Sequence, residues 1–367
     1  MNYKDTLQLI NGSIRALQAY HLDPIETSIK LNQNENPYDW PEEIKKEIAQ
    51  FCMDRPWNRY PPFIPEDLKK MVAQYAGISP EGVIIGNGSN EMILVLMLSL
   101  MNKSNRVILS QPTFTVYKLL ADGLGGQTLC VNMKEDLSFN VEAIKGALID
   151  NPGSVLILCS PNNPTGGYLS QEEIEGILEV HTGFMILDQA YVEFGGYNAI
   201  SLLKRYPNLI ITRTFSKAFA AAGLRLGYML GSPEVISEMN KIKLPYNVNF
   251  FSEHVASVLI KNSSLLDGTI EEIKTERDSL LQTLRTMPFE NVYPSASNFI
   301  LIRSIKKQEI FDFLKSRGIL IRDVSRYPML QDCLRISVGT RQENMLLKDA
   351  LREFFDVSGL TTDCKSL

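Results

Sequence analysis

One lysine stands in an unusually apolar stretch of the chain. Residues 213–228 read RTFSKAFAAAGLRLGY, with Lys217 among small and apolar side chains and Arg225 eight positions later. A lysine can cover apolar neighbours with its stem while its ammonium group stays in water. The alternative is a desolvated amine whose pKa is lowered by burial and by a nearby cation, as a Schiff-base lysine requires. The stretch therefore predicts either a covering side chain or a nucleophile.

A carboxylate ends another apolar run. Asp188 follows MIL in the segment GFMILDQA, residues 183–190. Burying an unpaired carboxylate there would be costly, so a helix cap or an ion pair is the simplest explanation. Beside a Schiff-base lysine a second role arises, because a pyridoxal cofactor needs an acid that faces its ring nitrogen and keeps it protonated. We expect Asp188 to fill one of these roles.

Other polar motifs fit the same cofactor. The loop GNGSN offers backbone N–H groups at the start of a predicted helix, where phosphate binds readily, and Ser216 with Arg225 could complete that site. Asn163 in NNPTG and Tyr191 in DQAY could contact the phenolic oxygen of the cofactor. Phe114 in PTF could stack on its ring. Each motif alone is equally explained as a turn or a core residue.

The elements that would position these groups alternate between strands and helices. Strands are predicted at residues 81–86, 106–110, 127–133, 155–160, 183–190 and 208–215. Their runs are apolar throughout, as expected of strands covered on both faces. The alternation predicts an α/β fold with a mostly parallel sheet. In such a sheet ligands bind beyond the carboxyl ends of the strands, and the polar motifs follow predicted strands.

The pattern changes after about residue 260. Helices are predicted at 264–287, 307–318 and 343–357, and strands at 298–303, 319–324 and 333–339. We therefore expect an N-terminal arm over residues 1–30, a large domain over 31–260, and a smaller α+β C-terminal domain over 261–367. A chain of 367 residues with 44% hydrophobic residues is long enough for two such cores.

Bulk properties exclude several classes of protein. The net charge is −5 and no basic block occurs, so nucleic-acid binding is not expected. The longest apolar run, residues 92–101, is about half of what a membrane span needs, and the polar N-terminus carries no export signal. The five cysteines include no C-x-x-C pair, and the three histidines have no ligand spacing. We expect a cytoplasmic protein with no metal site.

The order and spacing of the motifs resemble one enzyme family. GNGSNE, PTF, NNPTG, DQAY, SKAF and AGLRLGY together are similar to the fold-type-I pyridoxal-phosphate aminotransferases, over nearly the whole chain. LNQNENP, RYP, SNFILIR and CLRISVGT resemble its histidinol-phosphate aminotransferase group. The resemblance implies pyridoxal 5′-phosphate bound by the large domain and a homodimer with shared active sites. It also implies transfer of an amino group from histidinol phosphate to 2-oxoglutarate, within histidine biosynthesis.

The resemblance assigns a role to each matching residue around the cofactor. Lys217 would form the Schiff base and move a proton between the substrate α-carbon and the cofactor. Asp188 would pair with the ring nitrogen, Asn163 and Tyr191 would bind the phenolic oxygen, and Phe114 would stack on the ring. The residues that would hold the cofactor phosphate are Ser89, Asn90, Ser216 and Arg225.

The resemblance also implies one cofactor contact from the other subunit and several contacts with the substrate. Tyr60 in RYP would reach the cofactor phosphate of the other subunit. Arg335 would bind the glutamate carboxylate or the substrate phosphate. Arg322, Asn34 and Tyr20 are further candidates for substrate contacts.

Three alternatives stay open at this stage. An aromatic aminotransferase and a threonine-phosphate decarboxylase share the same lysine, aspartate and asparagine. The decarboxylase family tends to carry an early His-Gly-Gly, whereas His21 here precedes Leu-Asp. The third alternative is a non-catalytic sensor on this fold; such proteins usually carry an added DNA-binding domain, for which the first 30 residues are too few. Gln189 replaces the usual glutamate of DEAY, but its side chain should point away from that of Asp188.

Overall fold

The computed structural model describes residues 3–18, 25–101 and 106–357. The strands within this part of the chain are β1 (Ile29–Lys30), β2 (Val83–Gly86), β3 (Arg106–Gln111), β4 (Gln127–Asn132), β5 (Val155–Cys159), β6 (Met185–Asp188), β7 (Leu209–Thr214), β8 (Gly227–Leu230), β9 (Asn291–Val292), β10 (Phe299–Arg303), β11 (Ile319–Leu320), β12 (Arg322–Asp323) and β13 (Cys333–Ser337).

The helices surround and connect these strands. Those of the N-terminal half are α1 (Tyr3–Gln8), α2 (Gly12–Arg15), α3 (Glu42–Asp54), α4 (Glu66–Ala76), α5 (Gly88–Leu100), α6 (Val116–Gly123), α7 (Val141–Asp150) and α8 (Gln171–Leu178). The remaining ones are α9 (Pro233–Asn240), α10 (Phe250–Lys261), α11 (Ser264–Arg285), α12 (Lys307–Ser316) and α13 (Arg341–Val357). Short 3₁₀ turns lie at Pro80–Gly82, Val192–Phe194, Ala199–Lys204 and Ala222–Leu224. No helix in the described ranges is long and apolar enough to cross a membrane.

A seven-stranded sheet forms the core of the larger part. Its strand order is β2-β8-β7-β6-β5-β3-β4, and all neighbours are parallel except those of β8. Every residue of β5, β6 and β7 is buried, because helices cover both faces of the sheet. The prediction of an α/β fold with a mostly parallel sheet is confirmed.

The antiparallel strand β8 is absent from the sequence-based prediction. Its four residues GYML follow a motif that we interpreted as part of a phosphate site. The strand is buried on both faces and inserts between β2 and β7. A run this short carries no period that separates a strand from a loop. Because β8 is antiparallel to both neighbours, β2 and β7 point the same way and their carboxyl ends share one edge.

The C-terminal part is built on a four-stranded antiparallel sheet with the order β12-β13-β10-β9. The predicted strand at 319–324 is wrong as a single element. It consists of β11, which pairs in parallel with β1, and β12, which pairs with β13. A continuous apolar run does not reveal that its two halves pair with different partners.

The first described residues contact both parts of the chain. Ser13 Oγ donates a hydrogen bond of 2.9 Å to the Gly123 carbonyl at the end of α6. β1 pairs with β11 of the C-terminal part although it lies before residue 31. The division of the chain at residues 30 and 260 stays a prediction.

Candidate active site

A cavity of 540 Å³ lies beyond the carboxyl ends of β5, β6 and β7. The residues that sequence reasoning proposed and that line it are Asn34, Ser89, Asn90, Phe114, Asn163, Asp188, Tyr191, Ser216, Lys217, Arg225, Arg322 and Arg335. They come from loops that follow several strands and from the C-terminal sheet. The rule for open α/β sheets accounts for the residues that follow strands of the large sheet, whereas Asn34, Arg322 and Arg335 reach the cavity from other parts of the chain.

Lys217 lies in the loop after β7, three residues beyond Thr214, which ends the strand. Its Nζ donates a hydrogen bond of 2.9 Å to the backbone carbonyl of Gln33. Burial, followed by the positive charge of Arg335, lowers the pKa of Lys217 to about 7. The amine is therefore a nucleophile near neutral pH, as the second interpretation of the sequence requires.

The lowered pKa gives a testable pH dependence. In the cofactor-free protein, the rate at which Lys217 reacts with an amine-directed acylating reagent should rise through a midpoint near pH 7. The same residue in the unfolded chain should show its midpoint near 10.5, because water then solvates the ammonium group. Competitive labelling with peptide mass spectrometry measures both midpoints. A midpoint for the folded protein close to that of the unfolded chain would contradict the assignment.

Asp188 is buried at the end of β6, and both of its oxygens have partners. Oδ1 accepts the N–H of Ala190 at 3.1 Å, and Oδ2 accepts the hydroxyl of Tyr117 at 2.6 Å. Burial raises the pKa of Asp188, while the hydrogen bonds from Tyr117 and Ala190 lower it. The carboxylate lines the cavity, so the structure favours a site residue over a helix cap.

Four groups form a cradle for a phosphate at one end of the cavity. Ser89 and Asn90 lie in the first turn of α5, where backbone N–H groups have no intrahelical partner. Arg225 Nη1 lies 3.5 Å from Ser216 Oγ. A Cβ at Gly88 would stand 3.0 Å from Arg225 Nη2, so glycine there lets the guanidinium approach the helix. The arrangement joins a helix N-terminus, a hydroxyl and a cation.

Tyr191 and Asn163 line the cavity from neighbouring loops, and each is held by a residue that belongs to another part of the chain. The Tyr191 hydroxyl accepts a hydrogen bond of 3.1 Å from Asn34 Nδ2. Asn34 Oδ1 in turn accepts from Ser337 Oγ at 3.2 Å. Arg335 Nη1 donates to Asn163 Oδ1, which leaves the amide N–H groups of Asn163 able to donate to a ligand.

Two arginines lie opposite each other in the C-terminal sheet. Arg322 on β12 and Arg335 on β13 are directly paired in the antiparallel register. Opposite residues project from the same face of a sheet, and both side chains line the cavity. Like charges in such a pair repel each other, so an anion placed between them is stabilised. This end of the cavity is suited to a phosphate or carboxylate.

Gln189 points away from the cavity. Its Oε1 accepts a hydrogen bond of 3.0 Å from Arg213 Nη2, and its Nε2 donates to the Tyr197 carbonyl at 2.7 Å. Neither Gln189 nor Arg213 lines the cavity. The replacement of glutamate at this position therefore leaves the groups that face the cavity unchanged.

One proposed residue within the described ranges, Tyr60, does not line the cavity. Tyr60 is 82% exposed and stacks on Tyr246, with ring centroids 4.9 Å apart. Tyr20 lies outside the described residues.

Sequence reasoning missed several residues that line the cavity, among them Tyr117, Gln33, Asn32 and Tyr327. Tyr117 was unnoticed although it follows Phe114 by three positions, and the two rings meet edge to face at 5.5 Å. Gln33 contributes its carbonyl, and Asn32 accepts from Arg335 through its carbonyl at 2.8 Å. Backbone contacts of this kind leave no side-chain signal. Tyr327 lines the cavity and lies between the two arginines in sequence, where it resembles an ordinary core aromatic.

The fold and the site together define a class of protein. A mostly parallel sheet places a lysine of lowered pKa, a buried carboxylate and a phosphate cradle on one rim. This is the architecture of the fold-type-I transferases.

Comparisons with known proteins agree on the family. The family model described as aminotransferase class I and II matches residues 26–351. The histidinol-phosphate aminotransferase of Chlorobaculum tepidum is 37% identical over 94% of this chain and 100% of its own length. That of Caldanaerobacter subterraneus is 35% identical over 94% of this chain and 98% of its own. The chain belongs to the class I and II aminotransferase family.

A solved structure supports the fold. The histidinol-phosphate aminotransferase of Sinorhizobium meliloti, in complex with pyridoxal-5′-phosphate, superposes with a TM-score of 0.85 at 24% identity. The match covers 95% of this chain and 98% of the other.

Proposed function

We propose that this protein is a pyridoxal-phosphate-dependent aminotransferase that moves the amino group of histidinol phosphate to 2-oxoglutarate, in histidine biosynthesis. The observation that carries the substrate choice is the pair Arg322 and Arg335, opposite each other and both lining the cavity. Relatives that match nearly the full chain are named histidinol-phosphate aminotransferases, which supports the same choice.

The residues of the cavity fit the cofactor. The cradle of Ser89, Asn90, Ser216 and Arg225 is suited to its phosphate, and the buried Asp188 to its ring nitrogen. Asn163 and Tyr191 can donate to its phenolic oxygen, and Phe114 supplies an aromatic face. Pyridoxal phosphate supplies an electron sink that stabilises negative charge at the substrate α-carbon.

The protein's own groups then have definite tasks. Lys217, with a pKa of about 7, would hold the cofactor through its neutral amine and would then serve as the base for the substrate α-proton. Asp188 would pair with the ring nitrogen. Arg335, which would bind the substrate anion, donates a hydrogen bond to Asn163, which would bind the phenolic oxygen of the cofactor. This contact links the substrate site to the cofactor site.

The two arginines should contribute differently to the two substrates. Arg335→Lys should lower kcat/KM for glutamate and for histidinol phosphate alike, because lysine neither binds an anion bidentately nor holds Asn163 in the same way. Arg322→Ala should lower kcat/KM for histidinol phosphate more than for glutamate. Each lost charge-assisted contact should cost about 1.5–3 kcal/mol, roughly ten- to a hundred-fold in kcat/KM.

Steady-state kinetics with both amino donors measure these effects. Arg326→Ala is the matched control, because Arg326 lies on the same segment, is exposed and does not line the cavity. Equal losses for both substrates in Arg322→Ala would contradict a phosphate contact at that residue.

The test of the proposed substrate is a comparison of donors on the unaltered enzyme. The kcat/KM for histidinol phosphate should exceed that for phenylalanine. Threonine phosphate should release no carbon dioxide. A preference for phenylalanine would instead identify an aromatic aminotransferase, and carbon dioxide release a decarboxylase. A protein that binds the cofactor but turns over none of these donors would fit the sensor alternative.

We also propose a homodimer in which Tyr60 completes the partner's site. Tyr60, Phe63 and Tyr246 form an aromatic cluster, with Phe63 and Tyr246 meeting edge to face at 5.4 Å. Trp57 and Leu244 nearby in sequence are also largely exposed. Exposed apolar groups of this kind are typical of protein interfaces.

The small, soluble substrates support a cytoplasmic location.

Hybrid dimers test the shared site. Tyr60→Ala and Lys217→Ala each damage every site of their own homodimer. A hybrid of the two has one site with both defects and one intact site, so an equal mixture should regain about a quarter of the unaltered activity. The measurement is activity before and after subunit exchange, with dimers confirmed by sedimentation. No gain on exchange would place Tyr60 in its own subunit's site.

A further inference from the structure

Tyr117 lines the cavity beside Asp188 and has no role in the proposed function so far. Its side chain is fully buried at the start of α6, and its hydroxyl donates to Asp188 Oδ2 at 2.6 Å. Phe114, which lies three residues earlier, meets the Tyr117 ring edge to face. The turn that supplies an aromatic face for the cofactor ring therefore also supplies a donor for the carboxylate.

The charges around Asp188 define what this hydrogen bond does. Burial raises the pKa of Asp188 and so favours its neutral form, while the Tyr117 hydroxyl opposes that effect. Burial also raises the pKa of Tyr117, so the phenol keeps its proton and remains a donor. Cys159, the last residue of β5, pairs with Asp188 on the neighbouring strand β6. Burial raises the pKa of the Cys159 thiol, so this side chain adds no negative charge at neutral pH. Lys217 and Tyr191 line the same cavity.

A donor to a carboxylate makes that carboxylate a weaker base. When a protonated ring nitrogen pairs with Asp188, the proton between them stays on nitrogen only while the carboxylate is the weaker base of the two. Removing the Tyr117 hydroxyl would strengthen the base inside a dry site and draw the proton toward oxygen.

We propose that Tyr117 is a positioning residue that keeps Asp188 ionised and thereby keeps the proton on the ring nitrogen of the cofactor. This inference rests on the proposed function, because it requires pyridoxal phosphate in the cavity. It adds to that function the residue that sets the protonation state of the ring.

The test is ¹⁵N NMR of the holoenzyme loaded with ring-¹⁵N pyridoxal phosphate. The unaltered enzyme should give the shift of a protonated nitrogen. Tyr117→Phe, which keeps the ring and removes only the hydroxyl, should move the shift toward that of the neutral ring, in the same direction as Asp188→Asn. Tyr228→Phe is the matched control: Tyr228 is also fully buried and does not line the cavity, so its replacement should leave the shift unchanged.

A second variant keeps the test decisive if Tyr117→Phe folds poorly. Site-specific 3-fluorotyrosine at position 117 preserves the shape and makes the hydroxyl a stronger donor, so it should hold the protonated shift to higher pH. With a protonated nitrogen in the unaltered enzyme, an unchanged shift in Tyr117→Phe would overturn the inference alone. Where that variant folds poorly, an unchanged pH dependence of the shift in the 3-fluorotyrosine variant would overturn it. A neutral nitrogen in the unaltered enzyme would also overturn it. Failure of the unaltered protein to bind the cofactor would overturn the proposed function itself.

Discussion

Replacing Lys217 with alanine is expected to lower kcat by about 10⁴-fold or more, because one side chain supplies both the attacking amine and the base. The variant should fold normally, because the Lys217 amine is unfavourably desolvated in the folded protein and its removal does not lower the free energy of unfolding. Steady-state and single-turnover rates with histidinol phosphate measure the loss.

A second lysine with a lowered pKa provides the control. Burial lowers the pKa of Lys243, whose Nζ donates to Asn247 Oδ1 at 2.7 Å outside the cavity. Lys243→Ala should keep most of the activity. If it were as inactive as Lys217→Ala, the loss would reflect disturbed packing of the large domain and not the chemistry of one amine.

Asp188→Asn should reduce the single-turnover rate by about 10²–10³-fold while the cofactor still attaches to Lys217. The amide keeps the shape of the side chain but removes the negative charge that, in the proposed function, would hold a proton on the ring nitrogen. Borohydride reduction followed by peptide mapping reports the attachment, and rapid-mixing absorbance reports the rate.

Gln189→Glu is the matched control for this charge change. It adds a negative charge at the next position, on the side of the strand that faces Arg213 and not the cavity. The rate should stay close to that of the unaltered enzyme. Near-normal turnover in Asp188→Asn would mean that the buried carboxylate is only structural.

The sequence predicts well which polar residues lie at the carboxyl ends of the parallel strands. Asp188 ends a buried strand, where an apolar run followed by a single polar residue is a local pattern, and Lys217 lies in the loop directly after another buried strand. The parallel topology then brings such residues together without further information.

Long-range pairing is what the sequence does not reveal. The antiparallel strand β8 and the division of 319–324 into β11 and β12 depend on which distant strand each segment meets. The contact between Tyr117 and Asp188 likewise joins residues 71 positions apart. Neither residue type alone distinguishes such a pair from two ordinary core positions.

The most direct test of the assigned function is a half-reaction without an acceptor. Holoenzyme mixed with histidinol phosphate alone should form about one equivalent of the keto product, imidazole acetol phosphate, per subunit and then stop. Turnover stops because the enzyme retains the amino group until a keto acid accepts it. Adding 2-oxoglutarate should restart turnover and release glutamate. Absence of the keto product would contradict the assignment of this chain as a histidinol-phosphate aminotransferase.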